Sequence, residues 1–370
     1  MPSLDISRNI LQPQKRYVRV GFQQGRVPLD SDANDAEALG AEELSRALAE
    51  TICSAGSPND GFRIDDVTAD EESGLYDFSI GLGSFYLGGL RYDQPEEGAV
   101  YTTQDDWLQR AVDLPDFPDT PEAERNDLVW LEAWEQPVSP TEDAELIEPA
   151  LGVDTTGRVR RTWRVRVETD VVDDCRLGFQ DLLADVYPGT TLEETSGVLN
   201  SNVEMTVDFV DGDPENLCTP TVRGGYLGAR NETFRVRITE PGRFIWGRDN
   251  ASPVYRVRVV DHVVDEVSTG LRRIEFITLP RDQFAQPLAG QAIELHRWGA
   301  LLHNGEKQAE PEGLLLTVER GYDPSDDSIV VSQPVPQEWL DWFDAEGADA
   351  LSDRDPETVQ RYFYLRLWTG

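Results

Sequence analysis

The sequence predicts a mainly β protein with a few helices, an α+β chain. An N-terminal arm and strand–turn–helix (1–60) precede two antiparallel β-rich domains of sandwich or barrel type, 61–172 and 173–370. Three observations carry this reading. From residue 62 onward, short stretches alternate apolar and polar residues with period two, the pattern of half-buried strands. Gly, Pro, Asp and Asn separate those stretches at short intervals, as in sandwiches and small barrels. Before residue 60 a longer stretch instead repeats with helical spacing, and no fixed-period repeat runs through the chain.

Taken in order, residues 1–14 read as an extended arm. Tyr17, Val18, Val20 and Phe22 predict a short strand, and Gln23–Arg26 a turn in which Gly25 takes positive φ. Leu29-Asp30-Ser31-Asp32 is dense in helix-capping residues, so a helix follows over 32–53 with Leu44, Leu48 and Ile52 as its spine. Asp32, Asp35 and Glu37 sit where the helix dipole favours negative charge.

Tyr76, Phe78, Ile80 and Leu82 predict a strand, turned at Gly83-Ser84 and again at Gly88-Gly89. Residues 103–112 allow one or two helical turns. Leu128–Trp134 reads as a central apolar strand, 137–158 as a polar loop, and Trp163–Val167 as the strand closing the first domain. Cys175–Val186 predicts a helix and Thr190–Asn202 a polar linker. Strands follow at Met205–Phe209, Phe234–Ile238, Tyr255–Val259, Ile274–Leu279, Ile293–Trp298, Leu314–Val318 and Tyr362–Trp368, with a helix over Pro336–Ala345.

Composition excludes some functions. Seventy acids against 33 Lys and Arg give a formal charge of -37, a surface that repels nucleic-acid phosphates and anionic lipids. Lys15 and Lys307 are the only lysines, and an acidic, lysine-poor surface fits a salt-adapted organism or an acidic genomic bias. Cys53, Cys175 and Cys218 are odd in number and lack CxxC spacing, which argues for buried reduced thiols. The first residues lack an apolar signal core and no run reaches 18 apolar residues, so cytoplasmic synthesis without membrane insertion is expected.

Catalytic signals are weak. Asp30-Ser31-Asp32-Ala33-Asn34 opens like a calcium loop but has Asp35 where glycine is required and Ala41 where glutamate is, so capping explains the acids better. Acidic loops at Asp211–Asp213 and Asp323–Asp327 read as solvated turns. His262, His296 and His303 lack metal-helix spacing, and GxSxG, P-loop and GxGxxG strings are missing. Three strands carry Arg-x-Arg opposite their apolar face, and these arginines are expected to meet carboxylates on neighbouring strands. No catalytic, metal or cofactor residue is assigned.

The least generic string is Lys15-Arg16-Tyr17, Gln23-Gln24-Gly25-Arg26-Val27 and Leu29-Asp30-Ser31-Asp32-Ala33-Asn34-Asp35. It resembles the opening of a domain family of unknown biochemical function, K-x-Y-x-G-V-x-M-Q-Q-G-R-V-x-L-D-A-D-W-N-E. Asp60-Gly61-Phe62, Trp130–Glu135, Glu148–Gly152, Arg161–Val165 and Phe244–Asn250 are similar to later parts of it, while the chain beyond Pro311 fits less well. Ala33 stands where the family usually has Trp. The family's genes often accompany phage-tail-like contractile injection systems, and related tail-fibre proteins open with a similar F-x-x-G-R-V string.

The resemblance implies a non-enzymatic structural or adaptor subunit of such a particle. Tyr17, Gln23, Gln24, Gly25, Arg26, Asp30, Asp32 and Asn34 would be the assembly signature, with Arg26 paired to Asp30 or Asp32. The partners implied are other subunits and further copies of the chain, with release as part of an extracellular particle and without nucleic acid or cofactor. A glycan- or calcium-binding module and, further off, a polysaccharide hydrolase are the alternatives.

Overall fold

The computed structural model describes residues 6, 13–52, 54–69, 76–95, 99–104, 125–193, 197–202, 206, 233–248, 252–264, 267–302, 306–344 and 361–369. The expected features at 105–112, Met205–Phe209, Asp211–Asp213, Cys53, Cys218 and His303 lie outside these residues. Among the described residues the protein is mainly β with three α-helices, as the alternation predicts.

Helix α1 (Asp30–Ile52) leads into a small strand β1 (Ala55–Gly56). The strands β2 (Ile64–Ala69) and β3 (Tyr76–Ile80) pair with each other, and β4 (Gly83–Leu87) pairs with β1 and β5 (Leu90–Gln94). The long β6 (Leu128–Val138) pairs in register over its whole length with β9 (Arg158–Glu168). Between them lie the short pair β7 (Ile147–Glu148) and β8 (Val153–Asp154), in the stretch expected to be loop. Among the described residues β9 is the one strand on β6, so β6 is not central to a wider sheet. Phe62, Tyr76, Phe78, Ile80, Tyr92, Tyr101, Trp163 and Val165 form the core of this unit.

Helix α2 (Cys175–Val186) forms where expected, capped by the Asp174 carboxylate, which accepts from the Arg176 and Leu177 N–H groups. Its Cys175 is exposed, so the expectation of a buried thiol fails there. The expected linker is a hairpin, β10 (Thr190–Glu193) with β11 (Val198–Ser201), joined through a positive-φ Gly197. Polar side chains hid it, because Leu192 is the one apolar residue on the half-buried face of β10 and β11 is exposed throughout, which leaves little apolar alternation to read.

The ribbon β12 (Phe234–Glu240) and β13 (Arg243–Arg248) precedes a closed six-stranded barrel. The barrel comprises β14 (Val254–Val264), β15 (Val267–Phe276), β16 (Ala292–His296), β19 (Leu314–Asp323), β20 (Ser328–Val331) and β21 (Phe363–Leu367), in the order β14-β15-β20-β19-β16-β21. A side ribbon, β17 (Trp298–Leu301) with β18 (Lys307–Ala309), stands beside it, and helix α3 (Gln337–Asp344) contributes Leu340 to its core. Tyr255, Val257, Val259, Ile274, Ile293, Leu295, Leu316, Ile329 and Leu365 point inward. Alternate residues such as Arg256 and Arg258 point out, as period two requires.

Candidate functional site

The signature string folds only in its second half. Pro13–Lys15 makes one 3-10 turn, but Tyr17–Phe22 forms no strand. A strand needs a ladder, and no described edge lies beside this segment; Tyr17, Val18 and Phe22 are 55%, 78% and 64% exposed. The turn does form. Arg26 N–H donates to the Gln23 carbonyl at 3.2 Å, and Gly25 has φ 72°. Gln23, Gln24, Gly25 and Arg26 are all exposed.

Helix α1 starts at Asp30, two residues before the expected start. Asp32 Oδ2 accepts from the Leu29 N–H at 3.1 Å while the Asp32 N–H donates to the Leu29 carbonyl at 3.1 Å, a reciprocal cap. The Asp32 carboxylate is thus given to the helix start, and the described ion pairs include none between it and Arg26. Asn34 and Ala33 are exposed, so the position where the resembled family has Trp faces outward. The buried face is Ser31, Asp35 and Leu39 rather than the expected spine, and Leu44 is 61% exposed.

A glycine turn meets the helix at Ser45. The β4–β5 turn, Gly88-Gly89, has positive φ at both residues. It lies so close that a Cβ on Gly89 would stand 2.0 Å from the Ser45 carbonyl oxygen. Ser45 Oγ donates to the Gly88 carbonyl at 3.0 Å. The helix is therefore seated backbone to backbone.

A second constellation joins the first β unit to the barrel side. The even-numbered face of β9 points away from its core and meets the strand after β17 in matching steps. Arg160 pairs with Glu306, Thr162 Oγ1 donates to Gln308 Oε1 at 2.9 Å, and Arg164 Nη2 lies 3.2 Å from Glu310 Oε2. Both backbone groups of Ala309 are held: Gln136 Nε2 donates to its carbonyl at 2.9 Å, and its N–H donates to Glu142 Oε1 at 3.0 Å. Glu142 is nearly fully buried, and burial raises its pKa above the usual carboxylate value against the hydrogen bonds from Ser139 and Ala309.

A third centre is Glu294, fully buried on β16. It receives Arg237 Nη1 at 2.7 Å, the Gly313 N–H at 3.0 Å and Trp368 Nε1 at 3.2 Å, with Arg235 Nη2 at 3.7 Å. Burial opposes its ionisation, yet the charge of Arg235 and the Gly313 N–H help to outweigh burial and hold its pKa below the usual value. His296, buried beside it, is pushed down to about 4 by burial and is neutral near pH 7, so the arginines balance the charge.

The Arg-x-Arg expectation is met on β9, where Arg164 and Arg166 reach Glu132 of the paired strand β6; on β12 the carboxylate, Glu294, lies on β16, outside the strand that β12 pairs with. It fails on β14, where Arg256 donates to the Thr141 carbonyl at 2.8 Å and stacks 5.0 Å from the Tyr362 ring centre. The Asp323–Asp327 loop is a self-satisfied turn, Asp323 accepting from the Ser325 N–H and hydroxyl. Among the described residues no group of three His, Cys, Asp or Glu could hold a metal, and no helix is long and apolar enough to cross a membrane. Sequence reasoning missed Gln136 and Glu294 in strands and Glu142 in the turn after β6, since an isolated polar residue gives no signal of burial.

A family model described as a family of unknown function, DUF6519, matches residues 3–186. Over that stretch the chain is similar to DUF6519. The matched stretch ends with α2, so the signature turn, α1 and the β6–β9 pair lie within the DUF6519-like part, and the barrel lies beyond it. No curated protein and no solved structure matches the chain.

Proposed function

We propose that this chain is a structural or adaptor subunit of a phage-tail-like contractile injection particle, and that residues 13–29 are its assembly element. The observation supporting this is the state of that element. Tyr17, Val18, Phe22, Val27 and Leu29 are all more than half exposed, on backbone outside any described ladder. Aromatic and β-branched side chains in a strand-like pattern have the composition to pair with an edge supplied by a neighbour. Gln23, Gln24 and Arg26 add exposed donors and acceptors beside them. The tail-like particle itself enters through the resemblance at Lys15–Asp35.

The test is co-purification with the products of neighbouring genes. Full-length chain should retain a sheath, tube or baseplate-like subunit, and a Tyr17→Ser, Phe22→Ser variant should lose it while keeping its fold. Equal retention by both proteins, or retention of no such subunit, would count against the proposal.

A further inference from the structure

Lys307, on β18, has surroundings unusual for a lysine. It is half-buried. Its Nζ stands 4.9 Å from the centre of the Trp298 ring and 5.3 Å from that of Tyr362, two buried rings that meet edge to face. The backbone at this position is fixed, because the Tyr364 hydroxyl donates to the Lys307 carbonyl. Nearby arginines meet carboxylates, as Arg160 meets Glu306 and Arg164 meets Glu310. Among the described residues Lys307 meets none.

A second cation lies close by. Arg256, on β14, stands 5.0 Å from the centre of the same Tyr362 ring. Its Nε donates to a neutral group, the Thr141 carbonyl, and among the described residues it makes no ion pair. Glu142, the buried acid of this junction, is committed to Ser139 and to the Ala309 N–H. Two positive charges therefore share one aromatic wall without a carboxylate partner, in a chain of formal charge -37. Ring faces attract an ammonium. Burial and, after it, the charge of Arg256 act the other way and lower the Lys307 pKa from its ordinary value. A lysine amine set in an apolar place beside another cation is thereby made nucleophilic.

We propose that Lys307 is a covalent attachment site for a small aldehyde that carries an anionic group. The Nζ lone pair adds to the carbonyl carbon, the carbonyl oxygen leaves as water with the two amine hydrogens, and an imine joins the two molecules. The step needs no oxidant or reductant. Arg256, also half-buried, supplies the positive charge that draws in the anion. None of this rests on the tail-particle reading, so either can fail alone.

The chain carries its own control, because its one other lysine, Lys15, is exposed. The full chain is treated near pH 7 with glyoxylate and cyanoborohydride, which reduces an imine to a stable secondary amine, and the adducts are located by peptide mass spectrometry. Lys307 should be labelled several-fold faster than Lys15, with a lead that shrinks as pH rises and both amines become neutral. The ratio of Lys307 to Lys15 labelling should fall when neutral acetaldehyde replaces glyoxylate. It should fall too in Arg256→Gln, once circular dichroism shows that this variant keeps its fold. Lys15 labelled as fast as Lys307 in the parent chain overturns the proposal, leaving Lys307 as an ammonium held by its rings. A ratio that is the same for both aldehydes overturns the anionic selectivity, and with it the site as proposed.

Discussion

Gln136, fully buried on β6, donates a hydrogen bond to the carbonyl of Ala309 across 173 residues of sequence, at 2.9 Å. With Glu142 accepting from the N–H of the same alanine, the DUF6519-like part grips the backbone of β18. Removing the Gln136 amide strands a buried carbonyl, which costs about 1–3 kcal/mol. Gln136→Leu should therefore lower the urea midpoint, measured by tryptophan fluorescence. A midpoint equal to the parent's would mean that the two units do not depend on this bond.

Glu294 anchors the ribbon to the barrel. Glu294→Gln leaves the partly exposed Arg235 and Arg237 facing a neutral amide, and losing a hydrogen bond between charged groups costs about 1.5–3 kcal/mol. Amide exchange in β12–β13 should rise well above that in β14–β15. Equal protection in both ribbons would show that the arginines do not hold this one.

His296 makes stability depend on pH with a known sign. Its folded pKa is about 4 against an ordinary imidazole value near 6.5, so the unfolded chain binds the extra proton. Its contribution is complete above pH 6.5 and is lost as pH falls toward 4, by up to about 3 kcal/mol. His296→Gln should flatten the stability profile across that window. A mutant profile as steep as the parent's would place the pH dependence elsewhere.

Gly89 sets how closely α1 sits. Alanine there combines φ +74° with a Cβ 2.0 Å from the Ser45 carbonyl oxygen. Gly89→Ala should cost at least about 1–3 kcal/mol and open α1 to limited proteolysis. Gly40→Ala, on the exposed side of the same helix with nothing within 4 Å, should instead stabilise by about 0.5–1 kcal/mol. If both alanines shift the melting temperature alike, close helix seating is not the cause.

Tyr17 and Phe22 are exposed, so replacing both with serine should change stability by no more than about 0.5 kcal/mol each. A cooperative unfolding curve that drops further would mean these side chains serve the fold of the chain itself.

Period-two alternation made the strands of the first unit and most of the barrel legible, since Tyr76–Ile80 and Tyr255–Val259 bury one face of each strand. Capping chemistry located the start of α1 to within two residues, and α2 forms over the residues expected. The hairpin Thr190–Ser201 was not legible, because its one half-buried face, Thr190 and Leu192, is too short and too polar to set a pattern. The arm was misread as a strand for the converse reason: its residues suit a strand, but no described edge pairs with them.

The sequence by itself determined the class of the protein, its acidic surface, its helices to within two residues and the glycines of its turns. These follow from local sterics and from the side-chain period, which each residue carries with it. Only the tertiary structure decided that six strands close into a barrel, that Glu294 and Glu142 are buried, and that β9 meets Glu306, Gln308 and Glu310. Burial and partnership across 146 residues depend on how distant strands pack, and no local pattern encodes that.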